Sequence, residues 1–148
     1  MAEPAPASPR LPDYVCAVIL DAAGRWLLEL RPRDARRGRN ALTCFGGTRE
    51  PGEDIAGCLR RELAEELGWT GAPVPAARIA CDLHQGPRWI ARFFHLEWPA
   101  AILPRVEPGV VAIWAPAASL PGLPLSPWHR VIVDAIARGH LRAEAPAD

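Results

Sequence analysis

Lysine is absent from this 148-residue chain, and all 17 of its basic residues are arginine. A Schiff-base or nucleophilic lysine is thereby excluded, and any contact with phosphate falls to planar guanidinium groups. Net charge is absent as well, because 17 acidic residues balance the arginines. No global field therefore points to nucleic acid or to a membrane surface. No apolar run reaches membrane-spanning length. Cysteine is sparse: Cys16, Cys44, Cys58 and Cys81 are scattered, with no C-x-x-C pair. That argues against zinc ligation or a disulfide framework, and for buried free thiols in a reducing cytoplasm. The opening MAEPAPASPRLP has neither the cationic start nor the apolar segment of a secretory signal. Residues 1 to 12 read as a loose tail, and so do residues 143 to 148.

What is present suits one compact domain over residues 13 to 142, since 49% of the chain is hydrophobic and the length can bury a sizeable core. Tyr14 to Leu20 (YVCAVIL) has the β-branched, aromatic character of a strand. Asp21 to Gly24 is turn material, and Arg25 to Leu30 (RWLLEL) completes a hairpin. A loop over residues 31 to 41 leads to a short strand, Leu42 to Phe45, and then to Gly46 and Gly47. Asp54 is placed to cap a helix running to Leu67, and Gly68 to end it. Two strands, Ala77 to His84 and Trp89 to Trp98, flank Gln85-Gly86-Pro87, and a further strand spans Val110 to Ala115. Ser126 as cap and Pro127 in the first turn open a last helix that stops near Gly139. Its apolar face is Trp128, Val131, Ile132, Ala135 and Ile136. Strands interleaved with two helices specify the α/β class.

The chemistry is concentrated in the first helix and the loop before it. Glu62, Glu65 and Glu66 stand at i, i+3 and i+4 and share one helix face. At roughly 100° per residue they span only about 100° of arc. Ile55, Cys58, Leu59, Leu63 and Leu67 form an apolar stripe beside them, which sets the carboxylates at the edge of the buried surface. Like charges at this spacing repel unless a cation joins them. An oxygen-only cluster suits a hard ion such as Mg²⁺ or Mn²⁺ better than zinc. Such an ion bridges phosphate oxygens and lowers the pKa of a bound water. Gly46, Gly47 and Gly52 permit close backbone approach in the preceding loop, and Gly47 is a candidate for substrate contact. Taken alone, E-x-x-E-E beside Arg60 and Arg61 is usually a solvated helix face, and the loop glycines with the arginine at fixed offsets overturn that reading.

Residues 47 to 69 resemble the signature of the Nudix hydrolases, G-x5-E-x7-R-E-U-x-E-E-x-G-U, where U is a bulky apolar residue. All specified positions match: Gly47, Glu53, Arg61, Glu62, Leu63, Glu65, Glu66, Gly68 and Trp69. The resemblance implies an α/β/α sandwich around a mixed sheet. It implies hydrolysis of a diphosphate bond in a nucleoside diphosphate linked to another group, such as a nucleoside triphosphate or a nucleotide sugar. Glu62, Glu65 and Glu66 would be metal ligands for Mg²⁺ or Mn²⁺, one of them also activating water. The carbonyl of Gly46 would be a further ligand, and Arg61 with Glu53 would hold helix and loop together. A fourth acid in such proteins often precedes the fifth strand. Glu107 is the candidate, ahead of Asp82 and Glu97, its alternative being an ordinary acidic turn residue.

Substrate preference is less legible. Phe45 stands where many nucleotide-pool-cleaning relatives have proline, and Tyr14, the only tyrosine, lies far from the tyrosine of dinucleoside polyphosphate members. Pro87 fits the marker proline of ADP-ribose members loosely and a β-turn equally well. Arg31, Arg33, Arg36, Arg37 and Arg39, opposed only by Asp34, either steer a polyphosphate or form a solvated loop. Trp89, Phe93, Phe94 and Trp128 either stack a base or fill the core. The expected partner is a small diphosphate compound, with no nucleic acid or membrane and with a homodimer as one possible assembly. A non-nucleotide pyrophosphate and a nucleotide-sensing module without turnover are the competing readings.

Overall fold

The computed structural model describes residues 10–32, 40–70, 78–99 and 103–147. β1 (Tyr14–Leu20) is the centre of the sheet. Its side chains alternate with the period of two that a pleated strand imposes. Val15, Ala17 and Ile19 enter one core, while Cys16 and Val18 enter the other. Both faces are covered, which is why YVCAVIL is apolar throughout rather than alternating. β2 (Trp26–Leu30) returns antiparallel after the turn at Asp21, whose carboxylate accepts from the N–H groups of Ala23 and Arg25.

The sheet forks beside β1. At the end of β1, Ile19 and Leu20 pair with Leu27 and Trp26 of β2. Nearer its start, Tyr14 to Ala17 pair instead with β4 (Phe45–Thr48). The single strand expected over Leu42 to Phe45 is broken into β3 (Leu42–Thr43), which pairs with β2, and β4, which pairs with β1. The chain thus crosses the fork at Cys44 and carries Gly46 and Gly47 into it. Gly46 has φ 146°, and an added Cβ there would meet Cys16 Cα at 2.5 Å, so only glycine lets the strands approach this closely.

β5 (Arg78–Gln85) and β6 (Arg88–Glu97) form a second hairpin, with β6 parallel to β1. β7 (Val111–Ala115) covers the outer edge of β2, and a 3₁₀ turn, Ala117–Gly122, follows it. Parallel and antiparallel pairs in one sheet make it mixed, as expected. The C-terminal stretch requires a correction. Residues 143 to 148, read as a loose tail, begin inside β8 (Arg142–Glu144), which pairs parallel to β5. The Ala145 N–H extends the contact to the His84 carbonyl at 2.7 Å. Of the N-terminal tail, residues 1–9 lie outside the described residues, and the Pro12 carbonyl accepts from Arg49 Nε at 3.0 Å.

Each face of the sheet carries one helix. α1 (Ile55–Leu67) is capped by Asp54, which accepts from the Gly57 N–H at 2.6 Å, and ends at left-handed Gly68, φ 64°. Its stripe of Cys58, Leu59, Leu63 and Leu67 is buried against Val15, Ala17, Leu27 and Phe45. Each fully buried leucine contributes about 1.5–3 kcal/mol. Like charges at helical neighbour spacing cost only about 0.2–0.5 kcal/mol. The helix therefore stays docked despite its carboxylates. α2 (Pro127–Ala137) lies on the other face, where Ser126 caps it and Ile132 and Ala135 are buried with Phe93. The sandwich of helix, mixed sheet and helix is the architecture the resemblance implies.

Candidate active site

α1 brings its acidic face to the mouth of the fork. A Cβ built on Gly47 would fall 2.7 Å from Glu62 Oε2, so the glycine is what admits that carboxylate between helix and strand. The loop from Thr48 to Asp54 is held by Arg61. Its Nε donates to Glu53 Oε2 at 2.7 Å and its Nη2 to Glu53 Oε1 at 2.9 Å. This two-point geometry is the strong form of a carboxylate–guanidinium contact. Nη2 also reaches the Thr48 carbonyl at 3.0 Å, while Nη1 reaches Glu62 at 3.0 Å and Glu65 at 3.3 Å. The guanidinium hydrogen bonds hold the Glu53 carboxyl down to about 2. The same contacts raise the Arg61 pKa. Arg61 and Glu53 thus sit where a helix-to-loop brace should.

The carboxylates differ in surroundings. Glu65 is largely exposed and leans toward Arg61. Glu66 sits deeper, beside Glu62 on the same helix face. Burial first, then that contact and the nearby charge of Glu29, push it up to about 9, against a backbone hydrogen bond from Gly46. A carboxyl raised that far is held by repulsion and poor solvation, which a bound cation would relieve. Among the described residues no three His, Cys, Asp or Glu side chains close into a ready-made metal cage. The donors that face one another are carboxylate oxygens alone, with glycine backbone alongside. That chemistry fits a hard divalent ion.

Beside these groups opens a cleft of about 280 Å³ lined by Glu29, Arg31, Phe45, Glu65, Glu66, Glu107 and Val110. Glu107 faces it, and its carbonyl also accepts from the Val110 N–H at 3.0 Å, so the residue is at once a turn former and a wall of the cleft. Asp82 is occupied elsewhere, held at 2.9 Å by both Nε and Nη2 of Arg92. Glu97 ends β6 away from these walls. Arg31 reaches the cleft, whereas Arg33, Arg36, Arg37 and Arg39 lie outside the described residues.

The aromatic side chains are packed with protein groups. Phe93 is fully buried, edge-on to His129 at 5.5 Å, Trp128 packs against Tyr14, Phe94 joins the α1-side core, and Trp89 lies between His84 and Arg92. The four cysteines are free and buried. Among the described residues no helix is long and apolar enough to cross a membrane.

One acidic residue of the cleft escaped the sequence pattern. Glu29 of β2 is only 7% exposed. It points to the α1 side with Leu27, while Trp26 and Leu28 enter the opposite core. A glutamate on the buried phase of an apolar strand was the signal that could have found it.

Comparison with known proteins bears on both fold and box. Among curated proteins no sequence matches the chain. Among solved structures, the MutT protein from Methanosarcina mazei Go1 superposes with a TM-score of 0.70 at 21% identity, covering 85% of this chain and 92% of that one. A MutT NUDIX hydrolase from Burkholderia pseudomallei gives 0.64 at 24% identity, covering 84% and 98%. The NUDIX domain of Shewanella oneidensis NrtR, solved with ADP ribose, gives 0.64 at 17% identity, covering 92% and 93%. At these identities the likeness is one of fold. The family follows from the sequence match, because the NUDIX domain model fits residues 10–136. That span takes in β1 through β7, all of α1 and all but the last residue of α2, and on it the chain belongs to the NUDIX domain family.

Proposed function

We propose that the protein is a metal-dependent hydrolase that cleaves the diphosphate bond of a nucleoside diphosphate linked to another group, such as a nucleoside triphosphate or a nucleotide sugar. The observation that carries this reading is the cleft that gathers Glu65 and Glu66 of α1 with Arg31 and Glu107, beside the close approach of Glu62 to Gly47. Glu62, Glu65 and Glu66, with the Gly46 carbonyl and Glu107, would hold Mg²⁺ or Mn²⁺. When bound, the ions supply charge neutralisation at the phosphoryl oxygens and an acidified water.

The remaining work belongs to the chain itself. Arg31 offers a fork for a phosphate at the cleft wall. Arg61 and Glu53 keep Glu62 and the glycine loop in register, because a misplacement of ~1 Å at such a centre costs ~10²-fold in rate. Charge in the transition state spreads over phosphoryl oxygens, so positioned cations suffice and no covalent nucleophile is needed. Four buried thiols suit a reducing compartment, and we place the protein in the cytoplasm.

A nucleotide substrate is favoured over a non-nucleotide pyrophosphate because the NrtR domain, similar in fold, was solved with ADP ribose. A nucleotide-sensing module without turnover is the second reading, against which stands the complete set of box carboxylates in this chain. The test is a phosphate-release screen over nucleotides, nucleotide sugars, dinucleotides and prenyl diphosphates with Mg²⁺ and with Mn²⁺. Turnover of a nucleotide diphosphate, with the label from ¹⁸O-water on a phosphoryl product, is the expected result. Efficient hydrolysis of phosphomonoesters, or tight binding without turnover, would replace the proposal.

A further inference from the structure

We propose that Glu29, which lies outside the Nudix box, is an additional metal-holding residue of this site. The inference rests on the metal-dependent reading above and adds a donor from a different element of the fold. β2 places Glu29 opposite Thr43 of β3 on one edge and Ala112 of β7 on the other, at the fork where β3 leaves β2 to become β4. The pleat turns its side chain to the α1 side with Leu27, where it lines the same cleft as Glu66. Two carboxyl groups from a strand and a helix therefore meet in the floor of the cleft, at 7% exposure for Glu29.

A structural ion pair does not account for this placement. Among the described residues the guanidinium partner of Glu29 is Arg31, whose Nη1 stands 3.5 Å from Glu29 Oε1, too long for a good hydrogen bond. The brace between Arg61 and Glu53 shows what a matched pair looks like in the same molecule, at 2.7 and 2.9 Å. A buried carboxylate with a loose partner and an acidic neighbour is disfavoured unless a cation joins the two acids. A hydrophobic residue at this position would fill β2 at no such cost, since Leu27 on the same phase already does so. A divalent ion shared by Glu29 and Glu66 supplies the missing charge and ties β2 to α1. Arg31, just past the end of β2 and also lining the cleft, is then set to face a phosphate held on the same ion.

The experiment measures Mn²⁺ binding directly on the full chain, by loss of the free-ion paramagnetic resonance signal, without substrate. Wild type, Glu29→Gln and Glu66→Gln are compared, with circular dichroism as the check of folding. Both variants are expected to raise the Mn²⁺ dissociation constant at least ~10-fold, a size typical of losing a group that supports a metal. Should Glu29→Gln fail to fold, Glu29→Asp is read in its place: it keeps the charge, shortens the reach and must also weaken Mn²⁺. Wild-type affinity in either folded Glu29 variant, alongside a loss in Glu66→Gln, overturns this inference and leaves the proposed function standing. A raised KM with unchanged Mn²⁺ affinity likewise overturns it, and makes Glu29 a positioning residue for Arg31. Absence of Mn²⁺ binding by wild type overturns both.

Discussion

The two faces of the sheet use the same local device for opposite ends. Each carries a helix begun by a short polar cap, Asp54 on one side and Ser126 on the other; α1 packs onto β1 and β4, and α2 onto β5 and β8. On the α2 side the buried polar group is His129, whose Nδ1 lies 2.6 Å from Ser126 Oγ and whose Nε2 has no partner. Burial holds that imidazole neutral down to about 4, so nothing charged needs compensating there. On the α1 side, Glu29, Glu62 and Glu66 are three neighbouring carboxyl groups, and burial together with their mutual repulsion raises Glu29 and Glu66. The α2 face keeps its buried polar group neutral. The other accepts an electrostatic cost at the mouth of the cleft, which the proposed metal would relieve.

The largest effect that could break this contrast is catalytic. Glu66→Gln is expected to lower kcat by at least ~10²-fold in a protein that still folds, because charge stabilisation by a held metal is realised mainly in the transition state. Near-normal turnover of a diphosphate substrate in the folded variant would remove the α1 face as the reactive one. Next in size is dependence on the ion itself. Exhaustive chelation should abolish activity, Mg²⁺ or Mn²⁺ should restore it, and Ca²⁺ should do so poorly because it prefers longer bonds and looser geometry. Full turnover after chelation and dialysis would contradict the proposal.

The stability of the metal-free protein should carry both signs. Glu66 titrates near 9 when folded and near 4.5 when unfolded, so its contribution is complete below about 4.5 and is lost as pH rises through 9. His129 titrates near 4 when folded and 6.5 when unfolded, so its contribution is present above 6.5 and is lost as pH falls through 4. The difference of about 2.5 units corresponds to about 3 kcal/mol at the acid end. Urea denaturation across pH should show Glu66→Gln flattening the alkaline limb and His129→Leu the acid limb. The same limb altered by both would show that the two faces are not electrostatically separate. The smallest effect concerns the arginines outside the described residues. Neutralising Arg36, Arg37 and Arg39 together should raise KM a few-fold and weaken its salt dependence, with kcat little changed. Remote charges assist capture, and ~0.15 M salt screens them beyond ~8 Å. An unchanged KM at low ionic strength would make that loop a solvated surface only.

Local chemistry was legible along the chain to within a residue or so. α1 starts and stops where Asp54 and Gly68 place it, and the hairpin strands lie close to their expected spans. The brace of Arg61 with Glu53 is formed as the box resemblance implies. Three features were not readable, each for a physical cause. β8 is three residues long with one buried side chain, Ala143, too little pattern to stand out from a polar end. His129 interrupts the apolar face expected for α2, and only its contact with Ser126 and Phe93 explains why a ring nitrogen is buried there. Arg92 claims Asp82 across the β5–β6 pair, which no spacing along one strand announces.

By itself the sequence determined the helix caps, the apolar stripe and the face shared by Glu62, Glu65 and Glu66, because all are set by the 3.6-residue period and by φ preferences at single positions. Tertiary structure alone decided that Glu66 should be half-buried and Glu65 exposed, although they are neighbours on one helix. It alone brought Glu29 from β2 and Glu107 from the turn before β7 to the same cleft. Those placements depend on the fork in the sheet, where β3 leaves β2 and β4 joins β1. Strand pairing of that kind is a contact between distant segments, and no local pattern encodes which edge a strand will take.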